Sequence, residues 1–96
     1  MDNIIEKEGM LDGNKFYDSS QFNHGSLYLA KRLNTWAVYL CEEYVSGHYP
    51  ANGNAIINKG FFLIYPDRGG LSKSKPISVC NFTEIKSICD LNDLCN

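Results

Sequence analysis

The 96-residue sequence lacks any long apolar run. The longest, Trp36 to Cys41, is six residues, against the ~20 that a transmembrane helix needs. It has only three Pro, two His and one Trp, and two Arg beside seven Lys. Neither charge is in excess, since nine basic and eleven acidic side chains net −2. That balance speaks against a dedicated nucleic-acid backbone binder, which carries a strong basic excess. It also speaks against an acidic mimic of DNA, which needs a dense negative surface. The opening run Met1-Asp2-Asn3-Ile4-Ile5-Glu6-Lys7-Glu8 has neither a basic n-region nor an apolar h-region. No secretory signal is read, and the expected compartment is the cytoplasm, where thiols stay reduced. No internal repeat or low-complexity tract is present.

What is there is an ordinary globular composition, 44% apolar and 21% charged. It is too apolar for a disordered chain. The length suits one domain, 1–96. Ten Asn and seven Lys against two Arg imply AT-rich coding DNA, as in a low-GC bacterium, a phage or a mobile element. The near-neutral total hides an uneven distribution. Residues 1–25 hold Asp2, Glu6, Glu8, Asp12 and Asp18 against Lys7 and Lys15, a net of −3. Residues 59–86 hold Lys59, Arg68, Lys73, Lys75 and Lys86 against Asp67 and Glu84, a net of +3.

The expected fold class is α+β. It is a two-layer domain with one long amphipathic helix packed on a small antiparallel sheet of about three strands, and a short C-terminal helix. Residues 1–25 form an irregular or hairpin-bearing arm, with Asp12-Gly13 as the turn. Residues 26–96 form a helix-hairpin-strand-helix core. The long helix is read over Ser26 to Val45, because Leu29, Leu33, Trp36, Ala37, Leu40 and Tyr44 recur at steps of three and four. Ser26 is its N-cap and Gly47 its C-cap. Lys31 and Arg32 early, with Glu42 and Glu43 late, run against the helix dipole. Ala55-Ile56-Ile57 and Phe61 to Tyr65 read as a hairpin closed by Asn58-Lys59-Gly60, with Gly60 left-handed. Leu71 to Lys75 reads as a polar loop. Pro76 to Phe82 reads as a third strand, and Thr83 onward as the terminal helix. Trp36, Phe61 and Phe62 are assigned to the core.

The four cysteines, Cys41, Cys80, Cys89 and Cys95, form no C-x2-C pair, and no His stands at finger spacing, so no metal site is expected. They read as small buried hydrophobes. No phosphate-binding fingerprint is present, and no cofactor is expected. The loop Asp67 to Lys75, with two glycines, Arg68, Lys73 and Lys75, offers backbone N–H groups and positive charge. Six Tyr are more than a small core hides, and exposed Tyr favours interfaces.

Pro66-Asp67 followed by Glu84-Ile85-Lys86 resembles the metal-dependent nuclease signature PD-(D/E)xK, over residues 42–86. The resemblance implies that Asp67 at a strand end and Glu84 on the next strand bind Mg²⁺, while Lys86 assists the attacking water. It also implies a preceding helix bearing Glu42 or Glu43. Thr83-Glu84 also reads as a helix start.

The leading expectation is a small cytoplasmic protein-binding module without a catalytic centre. In this reading it is a phage or mobile-element accessory protein that inhibits a host defence, CRISPR or restriction complex by occupying its surface. Tyr49, Tyr65, Arg68, Lys73 and Lys75 are its candidate binding residues. The alternatives are a minimal or degenerate nuclease of the kind above (catalytic Asp67, Glu84 and Lys86) and a nucleic-acid binder acting through the basic 68–75 loop. No membrane partner is expected.

Overall fold

A computed structural model describes residues 4–88. The elements are β1 (Ile4–Ile5), β2 (Gly9–Leu11), β3 (Asn14–Phe16), β4 (Leu27–Arg32), β5 (Thr35–His48), β6 (Ala55–Asp67), β7 (Gly70–Lys73) and β8 (Glu84–Ser87). Two 3-10 turns, Ser19–Gln21 and Val79–Asn81, interrupt them. Six strands form one sheet in the order β1-β8-β4-β5-β6-β7, and every neighbouring pair is antiparallel. β2 and β3 form a separate hairpin around Asp12 and Gly13, both at positive φ.

The expected α+β architecture is therefore wrong, because the described residues contain no long helix. Ser26–Val45 does not form a helix. Its residues make β4, a tight turn and most of β5, with Arg32 opposite Thr35. The turn residues Leu33 and Asn34 sit at φ 52° and 62°, the positive pair a type I′ hairpin turn requires. Asn tolerates that region and Leu does so at some cost. The helical spacing is a coincidence of two strand faces that are both apolar. Tyr28 and Ala30 are buried on one face, and Leu27 and Leu29 are half-buried on the other. Tyr28, Thr35, Trp36, Val38, Tyr39, Tyr44 and Val45 lie in the stretch and favour strands. The adverse dipole order of Lys31, Arg32, Glu42 and Glu43 is the local sign against a helix.

Four further expectations fail. Gly60 does not close a hairpin; it lies mid-strand in β6, opposite Glu42. Pro76 to Phe82 gives only a single bridge, Ile77 to Phe61, followed by the second 3-10 turn. Thr83 onward begins as β8 rather than as a helix; the part of that expected helix beyond 88 lies outside the described residues. The polar loop expected over Leu71 to Lys75 contains most of β7.

Gly60 is needed for space rather than for φ. A Cβ there would stand 2.8 Å from a ring carbon of Tyr44 and 2.9 Å from Cβ of Pro76. Gly60→Ala is expected to cost about 1–3 kcal/mol by overpacking. Equilibrium urea unfolding reads it as a lower midpoint at unchanged slope.

The core lies on one face of the sheet, the inner face. β4 supplies Tyr28 and Ala30, β5 supplies Tyr39 and Cys41, β6 supplies Phe61, and β8 supplies Ile85. The register places these side chains together: Tyr28 opposite Tyr39, Cys41 opposite Phe61, and Ala30 opposite Ile85. Two similar segments cover them. In each, a capping residue opens a 3-10 turn that a phenylalanine closes four positions later. Asp18 caps the first, accepting from the Ser20 N–H at 3.0 Å, and Phe22 closes it. Ser78 caps the second and Phe82 closes it. Both rings pack edge-on against Phe61, with centroids at 5.0 Å and 5.2 Å. Tyr28 and Tyr39 complete the cluster from the strands. Such pairs add about 0.5–1.5 kcal/mol each beyond burial.

Candidate functional site: the open face of the sheet

The opposite face of the six-stranded sheet is uncovered. The two segments that close the core, and the rings of Tyr17, Phe22 and Phe82, all lie on the inner face. Strand alternation turns Leu27, Leu29 and Lys31 of β4 to the open face, with Trp36, Val38, Leu40 and Glu42 of β5 beside them. β6 adds Phe62 and Ile64, β7 adds Lys73, and β8 adds Glu84 and Lys86. β1 extends the surface with Ile4. Trp36 and Val38 remain 37% and 40% exposed, and Ile4 56%.

Two lysines lie flat on this surface. The Lys86 ammonium sits 5.1 Å from the centroid of Trp36. The Lys73 ammonium sits 5.1 Å from that of Phe62 and donates to the Glu42 carboxylate. Lys31 and Glu84 pair at 3.5 Å at the same end as Trp36. The result is an apolar strip bounded by paired charges. Cation–π contacts at exposed positions contribute about 0.5–1 kcal/mol each, and here they hold the large rings in place.

Of the five binding residues expected from sequence, only Lys73 lies on this face. Tyr65 stands opposite Ser72 on the other face of the β6–β7 hairpin, and Arg68 lies in its turn. Lys75 follows β7 in an exposed position. Tyr49 is exposed at the far end of the β5–β6 hairpin, where its N–H donates to Asn54 O at 2.9 Å. From there to Tyr65 is eleven steps of β6, about 35 Å. These residues do not form one patch. Trp36, Val38 and Lys86, which do belong to the site, are not among the five expected binding residues; the sequence assigned Trp36 to the core and Lys86 to the nuclease-like set. Read as strands, the alternations Trp36-x-Val38-x-Leu40 and Leu27-x-Leu29 indicate them.

The nuclease-like residues are not brought together either. Asp67 ends β6 and Glu84 begins β8, with β5 and β4 between them. Three strand spacings separate them, about 14 Å. They also face opposite sides of the sheet, Asp67 with Ser72 and Glu84 with Lys31. Two carboxylates so placed cannot share one ion, whose oxygen ligands stand at about 2–2.6 Å. Among the described residues, no three His, Cys, Asp or Glu side chains are grouped to hold a metal.

The cysteines divide by exposure. Cys41 is fully buried, whereas Cys80 lies exposed in the second 3-10 turn rather than in a strand. Cys89 and Cys95 lie outside the described residues. Burial pushes the Cys41 thiol up to about 11, with Lys59 pulling the other way. Three units below that value roughly one thiol in a thousand is thiolate, the nucleophilic form. Alkylation of the native protein at mildly alkaline pH, mapped by mass spectrometry, is expected to label Cys80 and spare Cys41. Labelling of both at equal rates would contradict the burial.

No family model matches this chain, and neither a curated protein nor a solved structure does.

Proposed function

We propose that this chain is a protein-binding module that occupies the surface of another protein with the open face of its sheet. The observation that carries the reading is the strip of exposed apolar side chains around Trp36 and Val38, bordered by Lys86, Lys73 and Glu42. A contiguous exposed apolar surface with a polar rim is the usual form of a protein-interaction site. Trp is also among the residues most often found at the energetic centre of interfaces. The lysine-rich, Asn-rich and Arg-poor composition favours a phage or mobile-element origin. The corresponding role is inhibition of a host defence complex by surface occupation.

The test is affinity pulldown from the native host with the wild-type chain and a Trp36→Ala variant in parallel. The reading expects one stoichiometric partner with the wild type, and its loss with the variant. Recovery of no such partner, or equal recovery by both chains, counts against it.

A further inference from the structure

Beyond the core, β5 and β6 run on as a two-stranded arm. Val45 stands opposite Ile57 there, and the two are 53% and 52% exposed. The outer edge of β6 is satisfied only in part. Phe61 donates its N–H to Ile77 O at 3.0 Å and accepts from the Ile77 N–H at 2.8 Å. Leu63 makes the corresponding pair with Ser74, donating to Oγ at 2.9 Å and accepting from the N–H at 3.0 Å. Strand alternation carries the same orientation back to Lys59, Ile57 and Ala55. The N–H and C=O groups of these three therefore point away from β5, and no strand among the described residues pairs with them.

Sheet edges are ordinarily blunted by shortness, a bulge, a proline or an outward charge. The other edges here follow that rule. Among the described residues β1 has two and β7 four. The distal edge of β5 is closed by Gly25, Ser26 and His24 as far as Glu43, and it carries a bulge between Val45 and Gly47. The β6 edge has none of these devices. Its register with β5 is unbroken from Ile57 to Leu63, and the stretch Ala55–Leu63 contains no proline. The single charge of that stretch, Lys59, turns inward to the carbonyls of Ser19 and Phe22 at 3.2 and 2.7 Å.

We propose that Ala55–Lys59 of β6 pairs antiparallel with the same segment of a second copy of the chain, about a two-fold axis at Ile57. The segment is self-complementary under that operation. Ile57 meets Ile57, Ala55 meets Lys59, and Ile56 meets Asn58. Every outward donor of the trio finds an acceptor, and no two like charges stand opposite each other. The exposed Val45–Ile57 pair becomes a ridge continuous across the axis, in which each Ile57 shields the other in part from water. An extended peptide from another protein could satisfy the backbone groups, but nothing on the edge selects its side chains, whereas the two-fold accounts for both backbone and ridge. This pairing uses the edge of the sheet and leaves the open face free, so it stands or falls separately from the binding role.

The experiment is sedimentation equilibrium of the full chain. The expected species has twice the 10.8 kDa chain mass. Ile57→Pro deletes an N–H that makes no bond to β5, and Ile57→Lys brings two ammonium groups together at the axis. Each is expected to abolish the dimer while far-UV circular dichroism is unchanged. Hydrogen exchange on the wild type is expected to show the Ile57 and Lys59 amides protected, a readout that does not depend on either variant folding. A wild-type monomer at all concentrations overturns the proposal. So does a dimer that survives both substitutions, or rapid exchange at those two amides. Protection that appears only on adding an extended peptide overturns the assignment to a second copy.

Discussion

Phe61→Ala is expected to destabilise the protein by about 3–5 kcal/mol, the range for a fully buried phenylalanine. Phe61 is 1% exposed and stands at the centre of the aromatic cluster. Phe22 and Phe82 close on it from separate covering segments, and Tyr28 approaches at 5.7 Å. Each covering ring follows its own capped turn. Neither can move into the vacated space without breaking that turn, so the cavity would stay open. A domain of this size has about 5–15 kcal/mol in total. At about 4–8 °C per kcal/mol, the midpoint of thermal unfolding should fall by roughly 12–40 °C. A drop of a few degrees would mean that the cluster does not hold the covering segments to the sheet.

Trp36→Ala should do the reverse, sparing the fold and damaging binding. Trp36 is more than a third exposed, and its partner in the free protein is the Lys86 ammonium. Its loss should cost about 1 kcal/mol or less of stability, as for surface changes that open no cavity. A tryptophan at the centre of an interface carries about 2 kcal/mol or more, so partner affinity should fall about 30-fold. Isothermal titration with the captured partner measures the affinity, and thermal unfolding of the same sample measures the stability. A variant that loses both equally would assign Trp36 to the core. One that loses neither would remove the open face from the binding reaction.

The sequence and the structure agree where the signal is local, and they part where it depends on what lies across the chain. Asp12-Gly13 is a turn signal that needs no tertiary context, and both residues take positive φ. The run from Phe61 to Tyr65 reads as a strand and forms one, although it is covered on both faces only at its start. Phe61 and Phe62 are indeed both buried, Phe61 in the aromatic core and Phe62 beneath Lys73. The β4–β5 hairpin is hidden in the sequence because the open face is nearly as apolar as the inner one. Alternation then vanishes, and steps of three and four can be picked out across Leu29, Trp36, Ala37 and Leu40. The hidden hairpin also conceals the site, since Trp36 reads as a core anchor on a helix and as an exposed ring on a strand. The turn at Leu33-Asn34 gives no help, because leucine at positive φ is a choice that local preference disfavours. The capped 3-10 segments do leave a trace, a capping residue four positions before Phe22 and again before Phe82. It gains meaning only once both rings are seen to meet at Phe61.

Site-specific photo-crosslinking in the native host tests the open face directly, and it works on a partner of any identity. A benzophenone side chain is placed at Val38, on the strip, and in a separate chain at Asn52, at the tip of the β5–β6 hairpin. A discrete adduct with a protein other than a second copy of this chain is expected from position 38 and none from position 52. Such an adduct from position 52 alone, with position 38 silent, would contradict the role of the open face.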